Sequence, residues 1–190
     1  MSGQVPKGKQ RASQAKIEDV AEFYQTIDRR NLIHKISPVR PYVYTTMEVY
    51  DQANGIRGAG GLGVLAADTR RVAEDLEIPF VTLTPFYQTE RHQRLEKLEP
   101  HDDYVSRSPE AEGFQAIGQV VLHIKDKPDA TLDIYQKQLG SSRFLCMTEP
   151  NFGPLYCDTP SSDHRLYQMT SLGFGGYAAL KMADLKPAVI

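Results

Sequence analysis

Four glycines within six residues form the stretch of the chain best suited to chemistry. Gly58, Gly60, Gly61 and Gly63 lead directly into a segment whose apolar residues have helical spacing. A backbone without Cβ atoms can approach a ligand closely. The N–H groups left free at a helix start, together with the helix dipole, favour an anion there. The stretch is interpreted as a phosphate cradle, and a tight strand-to-helix turn without a ligand is an equally open interpretation.

Two charged residues flank this turn. Glu48 ends a predicted strand, and ligands of open α/β sheets bind where strands end. Its alternative role is that of a solvated or ion-paired loop acid. Arg57 stands just before the glycines and has the geometry to contact a phosphate oxygen, although an exposed loop arginine explains it equally well. No Gly-Lys-Ser/Thr sequence ends the run, which excludes a P-loop.

The histidines and cysteines do not form a recognisable metal or nucleophile motif. Cys146 and Cys157 belong to no Cys-x-x-Cys pair and have no histidine beside them in a ligand pattern, so core packing is predicted for them. The five histidines lack the spacing of metal ligands, and they are His34, His92, His101, His123 and His164.

The composition fits one core with a nearly neutral charge. The 190 residues include 22 basic and 24 acidic side chains, which argues against a dedicated nucleic-acid surface. No apolar run is long enough to span a bilayer, and no apolar signal segment precedes the first element. Two cysteines do not make a disulfide framework, so a cytoplasmic location without a membrane partner is expected.

The glycine turn must be held by a strand and a helix. Residues 41–47 are β-branched and aromatic and predict a strand, and residues 79–84 predict a second one. Between them a helix is predicted from about residue 61 to 76. A strand, helix and strand in this order predict a parallel sheet. The residues expected to face inward from the helix are Leu62, Leu65, Thr69, Val72, Ala73 and Leu76.

The remaining sequence predicts further elements around this unit. Residues 1–15 are predicted to be a disordered arm, residues 16–190 the domain, and residues 17–31 an amphipathic helix. The highly charged stretch 88–109 is interpreted as a solvated loop or short exposed helix. Strands are predicted at 120–124, 132–135 and 143–147, the first two forming a hairpin, and residues 186–190 resemble a buried parallel strand.

The last helix is predicted to begin with Asp163 as its N-cap. Its inward face is expected to include Leu166, Met169, Leu172 and Leu180. Three glycines interrupt it and indicate close backbone packing or the approach of a ligand, and these are Gly173, Gly175 and Gly176. Arg165 and Gln168 are interpreted as a bridge from this helix to a loop.

Several separated blocks resemble the N-terminal domain of the α-glucan phosphorylases, which act on glycogen and maltodextrin. The likeness is strongest to the shorter bacterial and archaeal type and covers roughly residues 40 to 190. The blocks that carry it are Tyr42–Glu48, Gly60–Asp68, Asp75–Phe80, Phe86-Tyr87, Arg165–Gln168, Leu172–Gly176 and Lys186–Ile190.

The resemblance implies a fold and a cofactor. Members of the family have two Rossmann-like domains with the active site in the cleft between them. Pyridoxal 5′-phosphate is bound there as a Schiff base to a lysine of the C-terminal domain, and no lysine of this chain matches that position. The chain is therefore expected to be α/β, a Rossmann-like parallel sheet with flanking helices and an inserted β-hairpin region.

The resemblance also implies roles for the glycine turn. Phosphorolysis removes a terminal glucose from an α-1,4-glucan as glucose 1-phosphate, and the cofactor phosphate serves as proton donor and acceptor toward the substrate phosphate. Main-chain N–H groups of Gly60, Gly61, Leu62 and Gly63 would offset the repulsion between these two phosphates. Glu48 is assigned to the same site.

The chain is thus expected to be the N-terminal part of such a glucosyltransferase, inactive without its C-terminal domain. Expected partners are α-glucan, phosphate and glucose 1-phosphate, together with the C-terminal domain or a second copy. A non-catalytic glucan- or phosphate-binding module, or a split subunit, is the alternative. A sugar-nucleotide glucan synthase is disfavoured, because Ala59 and Val64 flank the Gly60–Gly63 turn where synthases usually have Lys and Asp.

Overall fold

The computed structural model of the protein describes residues 35–58, 60–123, 128–155 and 162–190. Contacts divide the chain into two units, Met1–Lys35 and Ile36–Ile190, and the elements named below belong to the second unit. The predicted arm, the predicted helix at 17–31, His34 and Cys157 lie outside the described residues.

The described chain contains seven strands and two α-helices. In chain order the elements are β1 (Tyr42–Thr45), α1 (Gly60–Asp75), β2 (Phe80–Pro85), β3 (Thr89–Glu96), β4 (Glu99–Ser106), β5 (Gln115–Leu122), β6 (Ala130–Leu139), β7 (Ser142–Thr148) and α2 (Ser162–Met182). Short 3-10 helices follow β1 at Gln52–Asn54 and β7 at Pro150–Phe152.

A five-stranded mixed sheet with the order β1-β2-β7-β6-β5 forms the centre of this unit. Strands β1, β2 and β7 are parallel, whereas β6 and β5 run antiparallel to their neighbours. The predicted strand-helix-strand unit is confirmed, because β1 and β2 pair in parallel with α1 between them. The predicted β5–β6 hairpin is also confirmed, and the fold class is mixed α/β.

The two helices pack on opposite faces of the sheet. Along β7, Phe144 and Cys146 join the cluster that contains Ala66 and Ala67 of α1. The alternate residues of the same strand join the cluster that contains Leu172 and Leu180 of α2, and these are Leu145 and Met147. Because successive strand residues point to opposite faces, each helix covers its own core.

The predicted inward face of α1 is wrong for its large residues. Ala73 is buried as expected, but four side chains are 44–64% exposed, namely Leu62, Leu65, Val72 and Leu76. The buried residues of the helix are mostly small, and they are Gly63, Ala66, Ala67, Arg70 and Ala73. A Cβ on Gly63 would lie 3.0 Å from the Tyr50 nitrogen, so close packing selects small side chains here.

The charged stretch 88–109 was expected to be a loop or short helix, and this prediction is wrong. Its strands β3 and β4 form a separate antiparallel hairpin. Opposite charges face each other across it, with 2.6 Å between Arg91 and Asp102 and 2.9 Å between Arg94 and Asp103. Such cross-strand pairs stabilise a hairpin without an apolar face, which hydrophobic periodicity does not detect.

The position of α2 agrees with the prediction, but half of its predicted inward face does not. Leu172 and Leu180 are buried, whereas Leu166 and Met169 are more than half exposed. The helix begins at Ser162, so Asp163 lies in its first turn rather than at the cap.

Two of the three α2 glycines have the predicted packing role. A Cβ on Gly175 would lie 2.4 Å from Leu132 Cδ1, and one on Gly176 would lie 2.5 Å from Leu83 Cδ2. Both glycines therefore let the helix approach the sheet closely.

The C-terminal residues pair in parallel but are not buried. A single parallel bridge joins Tyr42 to Val189, and the Val43 N–H donates to the Val189 carbonyl at 2.9 Å. Val189 and Ile190 are both exposed, so the predicted direction is confirmed and the predicted burial is wrong.

Candidate functional site

A cavity opens beside the ends of β1 and β2, where the carboxyl ends of two parallel strands meet. It is partly open, and its empty space of about 590 Å³ includes solvent at its mouth. Its polar wall includes Glu48, Arg57, Gly58, Thr84, Glu90 and Arg107, and its apolar wall includes Phe86, Phe114 and Phe144. The carboxyl edge of a parallel sheet is where open α/β folds bind ligands, and an apolar cavity with a few polar groups suits a small molecule.

Glu48 is fastened to the first turn of α1. Its side chain is buried, and its Oε1 accepts the N–H of Gly63 at 3.2 Å. The Tyr50 N–H donates to the Gly63 carbonyl at 3.0 Å, which holds the same turn from the other side. The loop after β1 therefore positions the helix start, and Glu48 places a negative charge near the positive end of the helix dipole.

Three of the four glycines in the turn are explained by the chain itself, two by close packing and one by its backbone conformation. A Cβ on Gly58 would lie 2.2 Å from the Val49 carbonyl oxygen, and one on Gly63 would meet the Tyr50 nitrogen. Gly60 has a φ of +84°, which L side chains rarely adopt. A Cβ on Gly61 would have no atom within 4 Å. Gly61 is thus the glycine that internal packing leaves unexplained.

The N–H groups at the start of α1 differ in their surroundings. Gly60, Gly61 and Leu62 are exposed, whereas Gly63 is buried. Within the described ranges, the structure provides a side-chain acceptor for Gly63 alone. Because the first N–H groups of a helix have no intrahelical partner, Gly60–Leu62 present a row of donors to solvent.

Arg57 borders both the cavity and the glycine turn. Its N–H donates to Glu112 Oε2 at 3.5 Å, which orders the backbone at this point. In the part of the chain that the structure describes, its guanidinium forms no ion pair, and the residue is exposed. The predicted neighbours Glu48, Arg57 and Gly58 therefore meet at one wall of the cavity.

Sequence reasoning missed Arg107, which forms another wall. Its guanidinium is almost fully buried and donates to both oxygens of Glu112, at 2.7 and 2.9 Å. It also lies over the Phe86 ring, with 4.7 Å from Cζ to the ring centroid. Bidentate and stacked arginines are rigid, so this wall is preorganised. The isolated positions of Arg107 and Glu112 in a loop gave no signal in the sequence.

A second missed cluster locks the loop of Glu48 to α1. Asp51 is buried and accepts hydrogen bonds from Arg70 at 2.9 Å, Arg71 at 2.8 Å and Asn54 at 2.9 Å. Burial acts to raise the pKa of Asp51, but the bonds from Asn54, Arg71 and Arg70 outweigh burial and lower it. The sequence signal available for this cluster was a pair of adjacent arginines on the predicted helix, Arg70 and Arg71, with Asp51 upstream.

The predicted bridge from α2 to a loop is present. Arg165 donates to Gln168 Oε1 at 3.0 Å and to the Leu155 carbonyl at 2.8 Å. Gln168 Nε2 donates to the Phe152 carbonyl at 2.7 Å. The Tyr167 hydroxyl donates to Glu149 at 2.8 Å. Burial is the main cause that raises the pKa of Tyr167, and this hydrogen bond raises it further. These residues tie α2 to the loop after β7.

The described histidines and the described cysteine are not arranged for chemistry. No group of three or more His, Cys, Asp or Glu side chains could hold a metal ion anywhere in the described ranges. His123 is exposed, and its Nδ1 lies 2.9 Å from Oδ1 of Asp129. His164 lies in the first turn of α2. Cys146 is buried in the core as predicted, and burial raises the pKa of its thiol, which opposes a nucleophilic role.

Comparison with known proteins does not assign the chain to a family. No family model matches the chain, and no curated protein is significantly similar to it. Among the described residues, neither α-helix combines the length and the apolar character needed to cross a membrane.

Proposed function

We propose that this chain is the N-terminal, Rossmann-like part of an α-glucan phosphorylase-like glucosyltransferase. In this proposal it acts in the cytoplasm and cleaves α-1,4-glucan with phosphate only together with a C-terminal domain. The support comes from the sequence blocks that resemble the family and from the geometry around the glycine turn. The single observation that carries it is Gly61, one of three exposed helix-start residues and a glycine that no contact within the structure requires.

The helix start supports the binding of a phosphate group. Three successive exposed residues, Gly60, Gly61 and Leu62, carry the N–H groups at the positive end of α1. Phosphate oxygens are acceptors, and a helix start offers both donors and a favourable dipole. A side chain at Gly61 would project into the space in front of these donors, so glycine at this position keeps the approach open.

Glu48 and Arg57 set where an anion is stabilised. The Glu48 carboxylate already accepts the Gly63 N–H and repels a second anion there, which directs phosphate to the Gly60–Leu62 side of the turn. The exposed guanidinium of Arg57 offers a charge-assisted bond to phosphate. Glu48 acts in this proposal as a positioning residue for the turn rather than as a ligand of phosphate.

The same turn fits the phosphate of pyridoxal 5′-phosphate. The fit rests on the exposed Gly60–Leu62 donors and the open space at Gly61. When bound, the cofactor would supply a phosphate that donates and accepts a proton toward the substrate phosphate. The contribution of this chain is to bind and orient anions through its main chain, and its lysine partner would belong to the C-terminal domain.

The cavity beside the turn supports a polyhydroxylated substrate. Thr84, Thr89 and Glu90 provide hydroxyl and carboxylate groups, and Phe86 provides an aromatic wall. Sugars are bound by such combinations of hydrogen-bonding groups and apolar faces. The rigid Arg107–Glu112 pair keeps this wall in place without adding net charge.

A non-catalytic glucan- or phosphate-binding module, or a split subunit, is the second candidate. One observation favours it, because the cavity and the glycine turn both lie within Ile36–Ile190. Binding would then need no second domain. A sugar-nucleotide glucan synthase fragment remains disfavoured by the residues that flank the turn.

A charge placed at Gly61 tests the proposal. Gly61→Asp adds a carboxylate in front of the turn, whereas the matched variant Gly61→Asn adds a similar volume without charge. Calorimetric titration with glucose 1-phosphate should show affinity at least about tenfold lower for Gly61→Asp than for Gly61→Asn. An acidic residue in the first helical turn is tolerated, so the melting temperature of Gly61→Asp should not fall. Equal affinity of both variants and the unchanged chain would contradict the assignment.

A further inference from the structure

The loop after β1 contains the dipeptide Asn54-Gly55 at an exposed turn. The chain has three asparagines, and Asn54 is the one that glycine follows. Gly55 is exposed, has a φ of +69°, and a Cβ on it would have no atom within 4 Å. Asparagine is among the thermolabile residues, because the next main-chain nitrogen can attack its side-chain carbonyl carbon. A glycine at the next position leaves that nitrogen open to approach.

Lys137 of β6 places its charge on the peptide group that would react. Its Nζ donates to the main-chain carbonyl of Asn54 at 2.9 Å and to that of Glu112 at 2.6 Å. The Asn54 carbonyl and the Gly55 N–H belong to one peptide group, so a cation at the carbonyl oxygen stabilises the anion that forms when the N–H loses its proton. That anion is the nucleophile of the reaction. The position of Lys137 therefore favours attack at this asparagine.

Two hydrogen bonds must open before the reaction. The Gly55 N–H donates to the Gln52 carbonyl at 3.1 Å, and the Asn54 side-chain amide donates to Asp51 Oδ2 at 2.9 Å. Both bonds belong to a single turn of 3-10 helix, whose first two residues are exposed. Short exposed segments open at a much lower free energy than the core. The reaction is therefore expected to proceed in the folded chain through local opening of this turn.

We propose that Asn54-Gly55 is a self-modification site, at which Lys137 promotes deamidation of Asn54. The Gly55 nitrogen forms a bond to Asn54 Cγ while the Cγ–Nδ2 bond breaks, and Nδ2 leaves as ammonia with the proton that the Gly55 N–H released. Water then opens the cyclic imide, at Cγ to give aspartate or at the main-chain carbonyl to give isoaspartate. No atom is oxidised or reduced, and water is the co-reactant. This inference does not depend on the proposed glucosyltransferase function.

The new carboxylate would meet a cluster that already has an excess of acids. Burial raises the pKa of Asp51, and the hydrogen bond from Asn54 is the largest of the effects that lower it. The two arginines of the cluster already bind three carboxylates, those of Asp51, Asp68 and Glu74. Isoaspartate would also lengthen the main chain of the loop that two Asp51–Ile56 hydrogen bonds close. Either product should therefore loosen the loop after β1.

Peptide mass spectrometry of the full chain tests the site. The chain is aged in mildly alkaline buffer made with water enriched in heavy oxygen, and it is then digested with trypsin in ordinary water. Asn54 should convert to aspartate and isoaspartate at least about tenfold faster than Asn151, which precedes the bulky Phe152. Heavy oxygen should enter the product during ageing, because water opens the imide. Asn54→Gln should remain unmodified at this position.

A change of charge tests the role of Lys137. Lys137→Met keeps a long side chain and removes the cation from the Asn54 carbonyl, and it should lower the rate of deamidation at least about threefold. Loosening of the loop alone would raise the rate, so a lower rate identifies the effect of the charge. The matched control is Lys186→Met, which changes an exposed lysine outside this loop and should leave the rate unchanged.

Two substitutions test the effect of the product. Asn54→Asp supplies the aspartate directly, whereas Asn54→Ala removes the same hydrogen bond to Asp51 without adding a charge. The melting temperature of Asn54→Asp should lie below that of Asn54→Ala, because the added carboxylate repels Asp51. Loss of a cooperative unfolding transition in Asn54→Asp, while Asn54→Ala remains folded, would support the same repulsion.

Three results would overturn the inference. The first is deamidation of Asn54 that is no faster than that of Asn151. The second is a rate that Lys137→Met leaves unchanged or raises. The third is an Asn54→Asp variant that is at least as stable as Asn54→Ala, which would show that the product does not disturb the cluster around Asp51.

Discussion

The carboxylate of Glu48 determines the local electrostatics at the start of α1. It accepts the Gly63 N–H at 3.2 Å and leaves the donors of Gly60–Leu62 facing solvent. Behind it, Asp51 is held by Arg70 and Arg71 and fixes the loop that carries Glu48. At the scale of single residues, a buried network of charges therefore supports the exposed turn.

Asp51 should make the protein sensitive to acid. Its pKa is lowered in the folded state, so its ionised form contributes stability that is present above the unfolded pKa of about 3.9 and is lost as the pH falls through the folded value. Asp51→Asn removes one of the two carboxylates that pair with the buried Arg70, the other being Glu74, and we expect a loss of about 3 kcal/mol in unfolding free energy at pH 7.

Urea denaturation at several pH values measures this effect. The difference in unfolding free energy between the chain and Asp51→Asn should begin to shrink below about pH 4, where Asp51 of the unfolded chain takes up a proton. The control is Asp103→Asn, which removes a half-exposed ion pair with Arg94 and should cost less than about 1 kcal/mol. If the difference in unfolding free energy between the chain and Asp51→Asn were the same at pH 3 as at pH 7, a stabilising charge on Asp51 would be contradicted.

At the scale of elements, the loop after β1 and the first turn of α1 form one packed unit. Gly58 and Gly63 approach Val49 and Tyr50 too closely for a side chain. Farther along the helix, α1 buries alanines and leaves its leucines exposed. Three glycines of the turn therefore have a structural role, two in close packing and Gly60 through its positive φ, whereas Gly61 lies at the exposed surface.

Alanine substitutions should separate these two roles. Gly58→Ala would place its Cβ 2.2 Å from the Val49 carbonyl oxygen, so the backbone must shift, and we expect a loss of about 1–3 kcal/mol. Gly61→Ala enters open space within a helix and should be neutral or stabilise the fold by up to about 1 kcal/mol. Thermal and urea unfolding measure both. Equal effects of the two substitutions would contradict the packing described for this turn.

At the scale of the whole molecule, the sequence allowed the strand-helix-strand unit, the β5–β6 hairpin and α2 to be predicted. Each of these has an apolar run or a turn signal that local rules detect. The inward face of α1 was not predictable, because small residues, Ala66 and Ala67, form its buried side and pack into the cluster that contains Phe144, whereas hydrophobic spacing selects the larger side chains. The β3–β4 hairpin was missed because ion pairs such as Arg91–Asp102 replace an apolar face.

The candidate site was predictable only in part. Glu48, Arg57 and the glycines were identified from sequence. Of these, Glu48, Arg57 and Gly58 line the cavity, whereas Gly60, Gly61 and Gly63 lie at the start of α1 outside its lining. Arg107 and Glu112 come from a loop whose position depends on the complete sheet, and no local pattern marks them. The exposed face of α2 was likewise hidden, since Leu166 and Met169 have the spacing of a core face.

The central claim is that phosphate binds to main-chain donors at the start of α1. Amide NMR of the isotopically labelled chain, titrated with inorganic phosphate at constant ionic strength, tests it most directly. We predict saturable shifts of the Gly60, Gly61 and Leu62 amides and a smaller shift of Gly63, whose N–H is already bonded to Glu48. Titration with chloride should produce none of these shifts. Phosphate shifts confined to other surface residues, with Gly60–Leu62 unchanged, would contradict the account.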